Sequence, residues 1–353
     1  MSDAGGPPEI SKETVRQVSV MQQEFIRDGV EGLRAQVTRM RPLLAKRSKM
    51  VAENSDLQGH FWRQVFAHAP PTVDEFFLGV DAAIMAKLEG FEVEHMELKE
   101  NGEGEPRSFQ LTFTFPTGEA NPFFTDAKLV KKFWWRKQVQ RNSKGHRRTW
   151  EGLVSEPVRI QWKEGMDPTR GLLGKACDLW DAEQNHKGDR IELEQYKTLA
   201  EAIAEVEKAA EIEDVEEPVL SLGAQSPANT SFFAFFGFRG RDVSAEHSKE
   251  ATKEEDERFA KMLKGEEVED EDEDEDDEDD DEFDDSVENV EVFQDGEDIA
   301  INIAEEIWPN ALKLYTESFD EALDFDESDI ECESCDEDEE EDADERPRKK
   351  VKA

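Results

Sequence analysis

Between residues 12 and 53 the apolar positions return at a helical interval. Ile26, Val30, Leu33, Val37, Met40 and Leu44 recur at spacings of 4, 3, 4, 3 and 4, the seam of a heptad helix. Val15, Val18, Met21 and Phe25 carry an apolar face upstream in looser register. The opposite side is charged, with Arg27, Glu31, Arg34, Arg39, Arg41, Lys46, Arg47 and Lys49. Gly29 and Gly32 weaken the helix, and Pro42 removes one backbone hydrogen bond and predicts a kink. A helix of this length spans about 60 Å, more than one small domain covers. The narrow stripe therefore predicts a homodimer seam. The alternative is a helix laid along a sheet of its own chain.

After residue 54 the pattern shortens and then changes period. Residues 55–90 form short helical stretches broken at Pro70 and Pro71, with Phe61, Trp62, Val65 and Phe66 on one face. Phe109, Leu111, Phe113 and Phe115 alternate with polar residues, and "ENGEGEP" supplies the turn before them. Together they predict an antiparallel hairpin with one buried face. "AKLVKKFWWRKQ" and "EPVRIQWKEG" are two further strand candidates, and the basic stretch 139–149 between them reads as a projecting tip. Residues 190–213 have the composition of a solvent-facing helix. Residues 226–241 are dominated by Phe232, Phe233, Phe235, Phe236 and Phe238. An amphipathic helix is predicted around 297–307, ending at Trp308-Pro309.

Charge divides the chain. Residues 1–240 hold 38 acids against 31 bases, a net of −7, whereas 241–353 hold 50 against 12, a net of −38. The densest run, 266–285, comprises Glu266, Glu267, Glu269, Asp270, Glu271, Asp272, Glu273, Asp274, Glu275, Asp276, Asp277, Glu278, Asp279, Asp280, Asp281, Glu282, Asp284 and Asp285, interrupted only by Val268 and Phe283. Such a segment has too little apolar surface to offset chain entropy. It seeks cationic partners or simply keeps the chain soluble. The expected organisation is a disordered N-terminus (1–11), a long dimerisation helix (12–53) and an α+β body (54–241) with a helical insertion near 172–217. An acidic mobile loop (242–290), a closing helical element (291–316) and an acidic tail (317–353) follow.

Candidate chemistry is sparse. Cys177, Cys332 and Cys335 make no disulfide framework and suit a reducing compartment. Cys332 and Cys335 have metal-ligand spacing, but no second pair completes a zinc site. Cys177 with His186 lacks the context of a nucleophile pair, and no phosphate loop, dinucleotide fingerprint or HExxH is present. No enzyme and no cofactor is expected. No signal peptide is expected, and no run of membrane-spanning length is present. The stretch 128–150 holds nine bases, no acids, and Phe133, Trp134, Trp135 and Trp150. With Lys144, Arg147 and Arg148 at the tip, it is a candidate nucleic-acid or acidic-partner contact. The bland alternative is a strand with aromatics inward and bases outward. Arg346, Arg348, Lys349, Lys350 and Lys352 form a nuclear-localisation candidate. Ser328 and Ser334, each with an acid three residues on, are candidate sites for an acid-directed kinase.

The order of several motifs resembles the nucleosome assembly protein family of histone chaperones, in its SET-like branch. "MRPLLAKRSKMV", "FWRQVFAHAP", "FQLTFTF" with "NPFF", "VRIQWKEGMDPT", "SFFAFF" and "EEIWPNALKLY" are similar to that family's elements and follow in its order. Within the fourth, Trp162, Lys163, Gly165 and Thr169 match a Trp-Lys-x-Gly-x-x-x-Thr pattern. The resemblance implies an earmuff-type body of antiparallel sheet covered by helices, dimerised through the long helix. It also implies core histones as ligand and nucleosome assembly in the nucleus as the setting. The same fold would serve an adaptor for a histone-modifying enzyme or a phosphatase inhibitor.

Overall fold

A computed structural model describes residues 11–141, 147–213, 230–266, 268 and 290–319. Helix α1 runs unbroken over Lys12–Glu53, with Ser11 as its N-cap accepting from the Thr14 N–H at 3.1 Å and Pro42 inside. Three short helices follow: α2 (Phe61–Ala67), α3 (Pro71–Asp74) and α4 (Gly79–Met85). Four strands then form one antiparallel meander: β1 (Gly90–Glu94), β2 (Phe109–Thr114), β3 (Lys128–Arg141) and β4 (Arg147–Ser155).

The strand alternation buries one face of the sheet. Phe91 pairs with Phe113, Phe109 with Phe133 and Phe113 with Leu129, and these side chains are all buried. The 3-10 segment Phe232–Gly237 fills the space beneath them, and all six of its residues are buried. Trp62 of α2 stacks on Trp308 with centroids 5.4 Å apart, which joins the two ends of the body. A smaller cluster joins α5 (Leu172–Glu183) to α6 (Glu194–Glu213) through Leu172, Ala176, Leu179, Tyr196 and Leu199, with Val290 and Val292.

Several expectations differ from the observed elements. The fourth strand is Arg147–Ser155, not "EPVRIQWKEG". Pro157 lacks an N–H for a ladder. The stretch after it crosses the body as an extended segment, with Val158 N donating to Phe236 O at 2.8 Å and Lys163 N to Phe123 O at 2.8 Å. Both β3 and β4 run into the stretch 139–149 expected to project, and residues 142–146 lie outside the described ones. Helix α6 is not purely solvent-facing, because Tyr196 and Leu199 are buried. The expected mobile loop 242–290 opens with an ordered helix, α7 (Ala245–Leu263), capped by Ser244.

The last helix does not stop at Trp308-Pro309. It begins as α8 (Gly296–Asn302), passes through a π turn at Ile303–Ile307 and stays helical through 319. The wider turn lies just where the Pro309 ring would otherwise meet the carbonyl four residues back.

Candidate functional site

Helix α1 lies on the body by its charged side. Arg27 donates to Asp256 at 2.7 Å and stacks over Phe259 at 4.4 Å. Arg34 donates to Gly104 O at 3.0 Å, and Arg41 to Leu98 O at 3.2 Å. These arginines recur every seventh residue, so they form one row along the helix. Gly104 is held at φ +118°, where a Cβ would come within 1.9 Å of Glu97 O, so the turn that receives Arg34 requires glycine. Farther along, Arg47 is buried, donates to Trp308 O and sits 4.0 Å from that ring; burial lowers its pKa to about 10.

The apolar side of α1 is consequently left open. Phe25 is 72% exposed, Leu43 64% and Val18 60%, with Met21 and Met50 beside them. Gly29 and Gly32 lie on the same stripe, and nothing stands within 4 Å of the Cβ each would carry. The heptad seam lies roughly a quarter-turn away, at the border with the body. Ile26 is 41% exposed, while Val30, Leu33, Val37, Met40 and Leu44 are half-buried. Leu44 packs against the main core, and Ile26 and Val30 line a cleft of about 980 Å³ between α1, α7 and the β3–β4 ribbon.

The basic root of that ribbon is already engaged. Arg147 is 1% exposed; it pairs with Glu254 at 3.3 Å and with Glu255, and donates to Thr149 Oγ1 at 2.8 Å. Arg141 takes the same Glu254 at 2.8 Å. The bonds from Arg141 and Arg147 hold the Glu254 carboxyl below its ordinary range. Arg147 is thus a buried ion-pair partner whose contacts are the acidic side chains of α7. Arg148 is exposed. Lys144 lies outside the described residues.

The segments flanking the acidic run are fastened to the body at both ends. At its head, Arg16 donates to Met262 O at 2.6 Å, at the end of α7. At its foot, the half-buried Glu291 carboxylate accepts the Arg239, Gly240 and Phe293 N–H groups at 2.9, 3.1 and 3.2 Å. Burial raises the Glu291 pKa. Across the core, Lys131 faces inward from β3, against the expectation that the bases of this stretch face water. Its Nζ donates to the carbonyls of Glu156 (2.7 Å), Phe236 (3.1 Å) and Phe238 (2.7 Å). Burial pushes its pKa down to about 7, against the pull of Glu291. Of the acidic run itself only Glu266 and Val268 are described. Ser328, Ser334, Cys332, Cys335 and the basic cluster Arg346, Arg348, Lys349, Lys350 and Lys352 lie outside the described residues.

Cys177 is buried, its thiol pushed up to about 11 by burial. Among the described residues no group of three His, Cys, Asp or Glu side chains could hold a metal, and no helix is long and apolar enough to cross a membrane. Glu254 and Glu255 were hidden in composition. The signals for their helix were Ser244 as N-cap and Lys253 four residues before Glu257. The arginine row was visible as a seven-residue interval, but its charge read as a solvent face.

Comparison with known proteins places these features. The family model described as Nucleosome assembly protein (NAP) matches residues 11–318. A Schizosaccharomyces pombe protein named for nucleosome assembly, C36B7.08c, is 26% identical over 147 residues, covering 41% of this chain. The match spans 55% of that relative's length. Among solved structures, a Ccp1 mutant is 19% identical with a TM-score of 0.48, covering 88% of this chain and 98% of its own. The Vps75 histone chaperone is 16% identical with a TM-score of 0.42, covering 88% and 100%. A nucleosome assembly protein of Plasmodium falciparum is 15% identical with a TM-score of 0.34, covering 86% and 96%.

Proposed function

The chain belongs to the nucleosome assembly protein (NAP) family, and we propose that it is a homodimeric histone chaperone whose acidic run collects core histones beside a folded body. Members of the family are histone chaperones and not enzymes. The observation that carries the dimer is the division of labour on α1. Its arginine row is spent on its own body, while Val18, Phe25, Leu43 and Met50 stand open along one side. A stripe of this length on a monomer is an interface for a second copy, and Gly29 and Gly32 let the two helices approach closely.

The ligand follows from charge. Eighteen carboxylates in twenty positions place roughly one charge per 3.5 Å of extended chain. Duplex DNA carries one per about 1.7 Å. The run is therefore a weaker polyanion than DNA: it shields histones from aggregation and yields them to DNA without an energy source. Its reach is about one Debye length, near 8 Å at physiological salt. Contacts at Met262 and Glu291 hold both flanks of the run to the folded body, which supplies the specificity that charge lacks. The basic cluster 346–352 directs the protein to the nucleus, and phosphorylation at Ser328 and Ser334 adds negative charge to the tail.

Deleting residues 266–285 tests this arrangement. Affinity for core histones is expected to fall roughly tenfold at low salt, with a smaller loss at high salt. The oligomeric state should not change. Loss of the dimer on deletion, or unchanged affinity at every salt concentration, contradicts it.

A further inference from the structure

We propose that α7 is a strap held down by charge, which a polycationic ligand lifts from the free edge of β3. Strand β2 ends opposite Phe133, so beyond Trp135 β3 pairs only with β4. Its other edge would stand open, and α7 lies over it. There the Lys137 N–H donates to Ser248 Oγ at 2.9 Å, a bond that stands in for a ladder partner.

The hold on α7 is mostly ionic. Glu254 and Glu255 take Arg141 and Arg147 on the ribbon, and Asp256 takes Arg27 on α1. Its only fully buried apolar side chains are Ala251 and Met262, whereas the shorter α5 buries Leu172, Leu173, Ala176, Cys177 and Leu179. A helix with so little apolar anchorage belongs to the least stable part of a fold. When it lifts, Arg147 and Glu255 return to water, so the loss of their pairing is offset by solvation.

The chain also runs from α7 directly into Glu266 and the acidic run. A ligand that brings many cations to that run brings them to Glu254, Glu255 and Asp256 as well, and there competes with the arginines. Binding and opening are then coupled through the ligand's preference for the lifted state. What is uncovered is a strand edge flanked by Arg141 and Arg147. This inference rests on the cationic ligand assigned under Proposed function.

Hydrogen exchange of the full-length protein, with and without poly-L-lysine, tests it alongside a direct binding measurement. Saturating poly-lysine is expected to speed exchange in α7 and at the Lys137 amide about tenfold while leaving Phe109–Thr114 unchanged. Binding without faster exchange overturns the strap and leaves the functional reading standing. Poly-lysine that fails to bind overturns that reading and the ligand trigger with it. The double variant Glu254→Gln, Glu255→Gln should show the same acceleration with no ligand, the β2 amides reporting an intact core. Exchange at the wild-type rate in this variant overturns the claim that charge holds the helix.

Discussion

Glutamate at both Phe25 and Leu43 is expected to split the proposed dimer into single chains in light scattering, with the body still folded. Each side chain stands exposed on α1, so neither supports the fold of its own chain. In a dimer each contributes about 2 kcal/mol of apolar burial per copy, and four buried carboxylates would add a desolvation cost of their own. The half-buried Leu33 and Val37 make a poorer test, because they lie at the border with the body and a charge there disturbs both sides. A variant that keeps the mass of two chains would contradict the assignment of this stripe.

A second large effect is expected from Asp81→Ala, a loss of about 3 kcal/mol in stability measured by urea unfolding. Asp81 is fully buried and receives the Leu78 N–H at 2.9 Å, the Phe232 N–H at 3.0 Å and the Ser231 hydroxyl. It thereby caps α4 and fixes the start of the phenylalanine segment at once. Alanine leaves those buried donors without an acceptor. Burial raises the Asp81 pKa, so the ionised form is disfavoured there. Asp81→Asn, which keeps one acceptor oxygen and sheds the charge, should therefore lose less. An unchanged urea midpoint in Asp81→Ala would contradict the role.

The contrast between legible and hidden features has a physical origin. The span of α1 follows from apolar periodicity, and β2 from the alternation of Phe109, Leu111 and Phe113, because burial imposes both patterns locally. Which side of α1 meets the body does not follow. Arginines that grip carbonyls, such as Arg34 on Gly104, look identical in sequence to arginines in water. Lys131 stood at an inward position in the strand alternation, but its burial depends on three carbonyls supplied by residues 156–238. Helix α7 was masked by an acidic composition whose partners, Arg141 and Arg147, lie more than a hundred residues earlier in the chain. Features decided by distant partners left little local signal. The candidate site divides in the same way: the acidic run is plain in composition, whereas the fate of Arg147 needed the fold.

Plasmid supercoiling with purified core histones, relaxed circular DNA and topoisomerase measures the proposed delivery of histones to DNA directly. The full chain, with no nucleotide added, is expected to introduce supercoils in proportion to histone deposited, at a salt concentration where histones and DNA alone precipitate. Histones bound by the protein but never transferred, with the plasmid left relaxed, would contradict it.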